Sequence, residues 1–415
     1  MTQPLARRLG LVDAVVIGVG SMVGAGVFAS FAPASAVAGA GLLIGLAVAS
    51  VVAFCNATSS AQLAAQYPTS GGTYVYGRER LGEWPGFAAG WTFVIGKTAS
   101  SAAMALVFAA YVAPAGYTEL VAILAITALT TVNYFGITRT AVLTKILVTA
   151  VLTVLVIAVV LGLTGSSVPA VDGLGSFTEN GWYGILQSAG LLFFAFAGYA
   201  RIATLGEEVV RPERTIPRAI VSALGIALLV YTLVAVTLLT VLGPELLASS
   251  SAPLVDLAVA SGHSWASPVM RIGAGLAALG ALLALIAGIG RTSLAMARHR
   301  DLPSYLAAVH PRYSVPHRAE ITLAVIVCVL VLTVDLRDAI GFSSFGVLLY
   351  YLVANLSAFT QDAEHRRYPR ALQVIGSIGC VVLIATLPVP SIVVGTVVVA
   401  LGVGYRLLRV RQLFT

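Results

Sequence analysis

Apolar runs of about twenty residues, broken at intervals by charge, glycine and proline, recur from one end of the chain to the other. A helix of that length spans the ~30 Å hydrocarbon core of a bilayer. Read from their punctuation, the runs predict helices at 11–33, 36–65, 87–113, 118–135 and 141–164. Seven more are predicted at 183–207, 217–242, 268–297, 320–334, 339–360, 371–387 and 389–408. The pattern is all-α and polytopic with twelve crossings, in which Pro388 and Pro390 supply nearly the whole break before the last. We read 1–415 as one membrane domain, with 11–164 and 183–360 as five-helix halves and 371–408 as an added pair.

Composition agrees with the pattern. Of 415 residues 59% are hydrophobic and 10% charged, with a mean hydropathy of +0.96, whereas soluble domains carry about 25% charged residues. A water-soluble globule is excluded. Lys97 and Lys145 are the only lysines among 24 basic residues. The arginines are not gathered into one basic region with interleaved aromatics, so nucleic acid is not an expected partner. With the N-terminus inside, 19 basic residues fall on the cytoplasmic side and two, Arg271 and Arg337, outside. That asymmetry predicts cytoplasmic N- and C-termini. The first apolar run outlasts a signal peptide and is followed by many others. Cys55, Cys328 and Cys380 lie singly in apolar stretches, without metal or disulfide spacing, and read as packing residues.

The first run contains Gly18, Gly20, Gly24 and Gly26 at mid-membrane. Glycine weakens a helix by about 1 kcal/mol against alanine, yet suits a segment that unwinds and lets a ligand approach the backbone. No strand precedes it and no acid follows about 20 residues on, so it is not a dinucleotide fingerprint. Gly20 and Gly24 also form a GxxxG packing pair. The sixth run has a matching irregularity around Gly198, between Phe193 and Arg201. Corresponding breaks in the first helix of each half point to an inverted repeat with a midplane site, where freed N–H groups attract a carboxylate and freed carbonyls accept from an ammonium.

The stretch GSMVGAGVF (20–28) resembles the first-helix signature of the amino acid-polyamine-organocation (APC) superfamily. So do FFAFAGY (193–199), EEVVRPERTIPRAI (207–220) and RTSLAMARHRDLP (291–303), in order and at family spacing. The resemblance implies a leucine-transporter-like fold and a secondary amino acid transporter working by alternating access. It puts the substrate carboxylate on backbone amides of Val23, Gly24, Ala25 and Gly26, and the α-amino group on carbonyls near Met22, Phe194 and Ala197, beside Gly198. Phe194 is the aromatic implied to close over substrate; an ordinary core phenylalanine is the alternative.

Departures from the family pattern narrow the expectation. Members that exchange arginine or agmatine carry an acid two residues after the sixth-helix glycine, where this chain has Ala200 and then Arg201. A neutral or small amino acid is favoured, with a polyamine or cationic amino acid as the alternative. No Asp, Glu or His falls mid-span, and 272–290 holds no Ser, Thr, Asp or Glu, so sodium coupling and metal ligation are not expected. The fifth-helix lysine of many sodium-independent members falls on Val151, whereas Lys145 lies nearer the cytoplasm. Lys97 stands roughly 15 Å inside the third helix, a depth at which a lysine is a functional hypothesis. It is either the coupling or proton-carrying group, or a structural lysine bonded to helix-end carbonyls and Ser100 or Ser101. Glu207, Glu208 and Arg291 are candidates for an inner gate, against the reading of a solvated charge run; Arg298 is another possible partner.

An enzyme is disfavoured because intramembrane acid/base and metal chemistry lacks residues. A channel or non-transporting sensor remains a competing class, and no P-loop suggests a primary pump. No cofactor is expected. The expected partners are an amino acid, protons and membrane lipid.

Overall fold

The computed structural model describes residues 9–68, 71–136, 141–165, 177–206 and 208–414, and all regular structure among them is helical. The first apolar run forms α1 (Leu11–Met22) and α2 (Ala25–Ala29), continued through Ser30 by α3 (Phe31–Ala38). Helix α4 is Leu42–Gln66, α5 Gly72–Leu81, α6 Glu83–Val112, α7 Thr118–Tyr134 and α8 Ala141–Thr164. The sixth run gives α9 (Gly181–Phe196), a 3-10 turn at Ala197–Tyr199 and α10 (Ala200–Ala203). Beyond it lie α11 (Pro212–Ser249), α12 (Pro253–Ala260), α13 (Ser267–Arg298), α14 (His317–Thr333), α15 (Leu336–Phe359), α16 (Arg370–Thr386) and α17 (Val389–Phe414).

Among the described residues nine helical stretches are long and apolar enough to cross a membrane. Three more apolar runs form helices of 17 residues each, α7, α14 and α16, about 25 Å long at 1.5 Å per residue.

The turn predicted near 34–35 is misplaced. Pro33 falls in the first turn of α3, where its missing N–H costs nothing. The chain reverses instead at Gly39–Gly41, where Gly39 adopts φ +56°, a conformation glycine enters without penalty. The seventh predicted helix was too short. It runs from Pro212 to Ser249 through a kink at Gly243, whose φ is +71°.

Helix α6 lies at the centre, packed lengthwise on α13 and α15, while α11 covers α1 and α4. Cys55 and Cys380 are buried and Cys328 half-buried. The Cys380 thiol meets Asn56, which accepts from Asn355 at 2.6 Å, so this polar cluster ties α4, α15 and α16 together.

Candidate functional site

The two irregular segments meet. Helix α1 ends at Met22 and α2 starts at Ala25, so the helical ladder is interrupted at Val23 and Gly24. The 3-10 turn holding Ala197 and Gly198 packs directly against α1. Gly198 makes the crossing possible, because a Cβ there would collide with the backbone of Ser21 and Met22. The glycines of the first run each face a different neighbour. A Cβ at Gly18 would strike Ile202, and one at Gly20 would strike Val148 of α8. At Gly24 it would lie 2.9 Å from the Ala281 methyl of α13, and at Gly26 2.7 Å from the Ala195 Cα of α9. Close packing and helix interruption coincide at Gly24, while Gly18, Gly20 and Gly26 pack closely from within regular helix.

The carbonyls at the two interruptions are engaged by side chains from other helices. The Tyr231 hydroxyl of α11 lies 2.6 Å from Met22 O and 2.8 Å from Ala195 O, which ties α1 to α9. Ala197 O accepts from Tyr351 of α15 at 3.2 Å and from Lys97 Nζ of α6 at 3.3 Å. Lys97 is 8% exposed. Ser100 and Ser101 are not its ammonium partners: Ser100 meets Ser343 at 2.6 Å, and Ser101 donates to the carbonyl of Lys97. Sequence reasoning brought Lys97 to membrane depth but missed Tyr231 and Tyr351, although a phenol inside an apolar run needs a partner for its hydroxyl.

Met22, Val23, Phe194 and Ala197 are all buried, so the site is closed. In sequence Phe194 falls between two residues whose rings brace the break: Phe193 packs edge-on against Tyr351, and Phe196 against Tyr231. The side chain of Ala25 lies outside what the structure describes.

Among the described residues the inner-gate candidates Glu208 and Arg291 do not pair with each other. Glu207 lies outside the described residues, and among the described residues neither Glu208 nor Arg291 has an ion-pair partner within 4.0 Å. Arg291 instead stands in the electrostatic field of Arg201 and of Glu320 in α14. Glu320 is a buried carboxylate whose Oε2 has no hydrogen-bond partner among the described residues. Arg201 reaches Thr204 at 3.4 Å.

Other groups close this end of the bundle. Asp13 of α1 pairs with Lys145 of α8 at 2.6 Å. Leu9 pairs with 208–210, its N–H donating to Glu208 O at 3.0 Å and its carbonyl accepting from Val210 at 2.9 Å. Asp301, just beyond α13, accepts from Arg406 of α17, from Arg78 at 3.0 Å and from the Tyr74 hydroxyl at 2.7 Å. Burial and the Asp301 carboxylate hold the Tyr74 phenol well above its usual range, so it stays a donor. Arg406 also reaches Glu83 at 3.3 Å and stacks on Trp84 and Phe87. The signal for this cluster is Arg406 near the end of the last apolar run, ahead of Arg409 and Arg411.

No group of three or more His, Cys, Asp or Glu suited to a metal occurs among the described residues.

A family model described as amino acid permease matches residues 9–405. A Mycobacterium tuberculosis protein named as an uncharacterised transporter is 58% identical over 411 residues, 99% of this chain and 92% of its own. The chloroplastic cationic amino acid transporter 7 of Arabidopsis thaliana is 27% identical over 384 residues, covering 86% of this chain and 66% of that protein. A branched-chain amino acid permease of Bacillus subtilis is 24% identical over 399 residues, covering 90% and 84%. The resemblance carried by the glycine-rich breaks thus extends over nearly the whole chain, which belongs to the amino acid permease family of the APC superfamily and is a multi-pass membrane transporter, not an enzyme.

Proposed function

We propose that this protein is a sodium-independent secondary transporter of a neutral or small amino acid, working by alternating access about the two helix breaks. In this reading twelve helices cross the membrane with both termini cytoplasmic, and α1–α8 and α9–α15 hold the two inverted five-helix repeats. The substrate carboxylate binds amides of Val23, Gly24, Ala25 and Gly26. Its ammonium takes carbonyls of Met22, Phe194 and Ala197 beside Gly198, and Phe194 closes over it.

One observation carries the substrate class. Two residues after Gly198, where an acid would face a cationic side chain, the chain has Ala200 and then Arg201. A second positive charge, on the substrate side chain, finds no acid at position 200 to pair with. The branched-chain permease among the relatives suits a neutral substrate, while the cationic transporters keep the alternative of a cationic amino acid or polyamine in view. Lys97 is the coupling or proton-carrying residue in this scheme. Glu207, Glu208 and Arg291 form part of the inner gate when the closed contacts of Asp13 and Asp301 release.

A thermal-shift panel of amino acids and polyamines on purified protein, followed by counterflow in proteoliposomes, tests the reading. Neutral amino acids are expected to stabilise most and to exchange saturably. Strongest stabilisation by arginine or putrescine overturns the substrate class, and absence of saturable counterflow for every compound overturns transport.

A further inference from the structure

A cavity of about 390 Å³ lies on the flank of the molecule, away from the helix breaks. Its walls come from α6, α13, α14, α15, α17 and the segment after α13, including Trp91, Ile289, Leu306, Leu323, Phe342 and Val398. Along α14 it extends from Ala319 to Leu330, roughly 16 Å at 1.5 Å per residue, or about half of the ~30 Å hydrocarbon core. Its depth is that of one leaflet. Its walls offer little to a polar guest. The Trp91 indole N–H donates to Val398 O at 3.0 Å, Thr98 to Val94 O at 2.7 Å and Thr322 to Arg318 O at 2.8 Å.

The rim is different. Arg318, next to Ala319, sits 4.8 Å over the Tyr305 ring, and Arg409 donates to Leu302 O at 3.0 Å. Leu302, Leu306 and Ala319 all line the cavity, so both guanidinium groups are anchored at the same end. Neither has a carboxylate partner among the described residues. An apolar slot one leaflet deep with two unpaired cations at its mouth is complementary to a lipid that carries an acyl chain below a phosphate.

We propose that this groove binds one acyl chain of an anionic phospholipid of the inner leaflet, with Arg318 and Arg409 holding its phosphate. The leaflet assignment rests on the cytoplasmic placement of the termini proposed above, which side-specific labelling of Arg318→Cys in sealed vesicles reads separately. The test is native mass spectrometry of the full-length protein with phosphatidylglycerol and phosphatidylcholine at equal concentration. One phosphatidylglycerol per protomer is expected to be retained at least tenfold better. Arg318→Gln with Arg409→Gln is expected to abolish the preference while some lipid stays bound. Thr322→Phe, which fills the slot, and Ile326→Trp, at a lipid-exposed edge that tolerates bulk, are expected to lower retention of both lipids. Equal retention by the wild type, a preference that survives loss of both arginines, or full displacement by inorganic phosphate overturns the proposal. A protein dimer that the two bulky substitutions dissociate assigns the groove to a second copy and overturns it too. Counterflow in the same lipids reports transport independently, so failure of either reading is visible without the other.

Discussion

Replacing Lys97 by methionine separates function from stability. The ammonium is buried at membrane depth, a position that costs about 2.5–3.5 kcal/mol. Against this stands one hydrogen bond of a charged donor to Ala197 O, which returns about 1.5–3 kcal/mol. The carbonyl is not orphaned by the change, because the Tyr351 hydroxyl remains on it at 3.2 Å. Methionine matches the lysine side chain up to the ammonium, one atom shorter, and fills irregular space well. Lys97→Met is therefore expected to be between about 0.5 kcal/mol less and about 2 kcal/mol more stable than wild type. Transport changes in the opposite sense: accumulation driven by a pH gradient is lost, while counterflow at equal pH persists. Unfolding in detergent measures the first quantity, and proteoliposomes with and without an imposed gradient measure the second. A Lys97→Met protein that keeps its normal pH dependence, or one destabilised by more than about 2 kcal/mol with unaltered coupling, refutes the reasoning and makes Lys97 a structural residue.

Three further substitutions, with one control and one second-site variant, probe the closed arrangement. Gly198→Ala sets a methyl group against the backbone of Ser21 and Met22 and is expected to abolish counterflow. Gly288→Ala, where a Cβ meets open space, serves as the control and gains up to about 1 kcal/mol of helix stability. Asp13→Asn removes the pair with Lys145, whose side chains are 21% and 46% exposed; stability shifts by less than about 1 kcal/mol, while cysteine probes near the inner end of α1 are expected to label faster. Asp301→Asn leaves Arg406 buried with only the exposed Glu83 opposite and is expected to cost about 3 kcal/mol in unfolding experiments. Arg406→Gln in the same protein is expected to recover part of that loss, and equal stability of single and double variants would contradict a paired role.

Helix existence was legible because the bilayer imposes one length on every crossing, and α8 coincides with the predicted 141–164. Ends were less legible where proline and glycine compete. Pro33 resembles a terminator in sequence but opens a helix turn in the structure, and the reversal waits for Gly39. The two breaks could be read because their glycines admit neighbouring backbone, a requirement local enough to mark the sequence. The groups that occupy the freed carbonyls could not, since Tyr231 and Tyr351 arrive from helices far along the chain. The inner contacts were hidden for the same reason. Glu208 and Arg291 lie within the family motifs yet have no ion-pair partner among the described residues, whereas Asp301, Arg78 and Arg406 come together only through tertiary packing.

The phenol of Tyr231 and the ammonium of Lys97 occupy two of the three carbonyls that the substrate ammonium is proposed to use, those of Met22 and Ala197. An unloaded carrier can therefore shut without stranding bare peptide oxygens in the membrane. A carrier that shuts unloaded completes its return stroke alone and delivers net uptake. One that can shut only around cargo is bound to trade molecule for molecule. In the proposed transport scheme, internal stand-ins of this kind would favour net uptake over obligatory barter between the two sides.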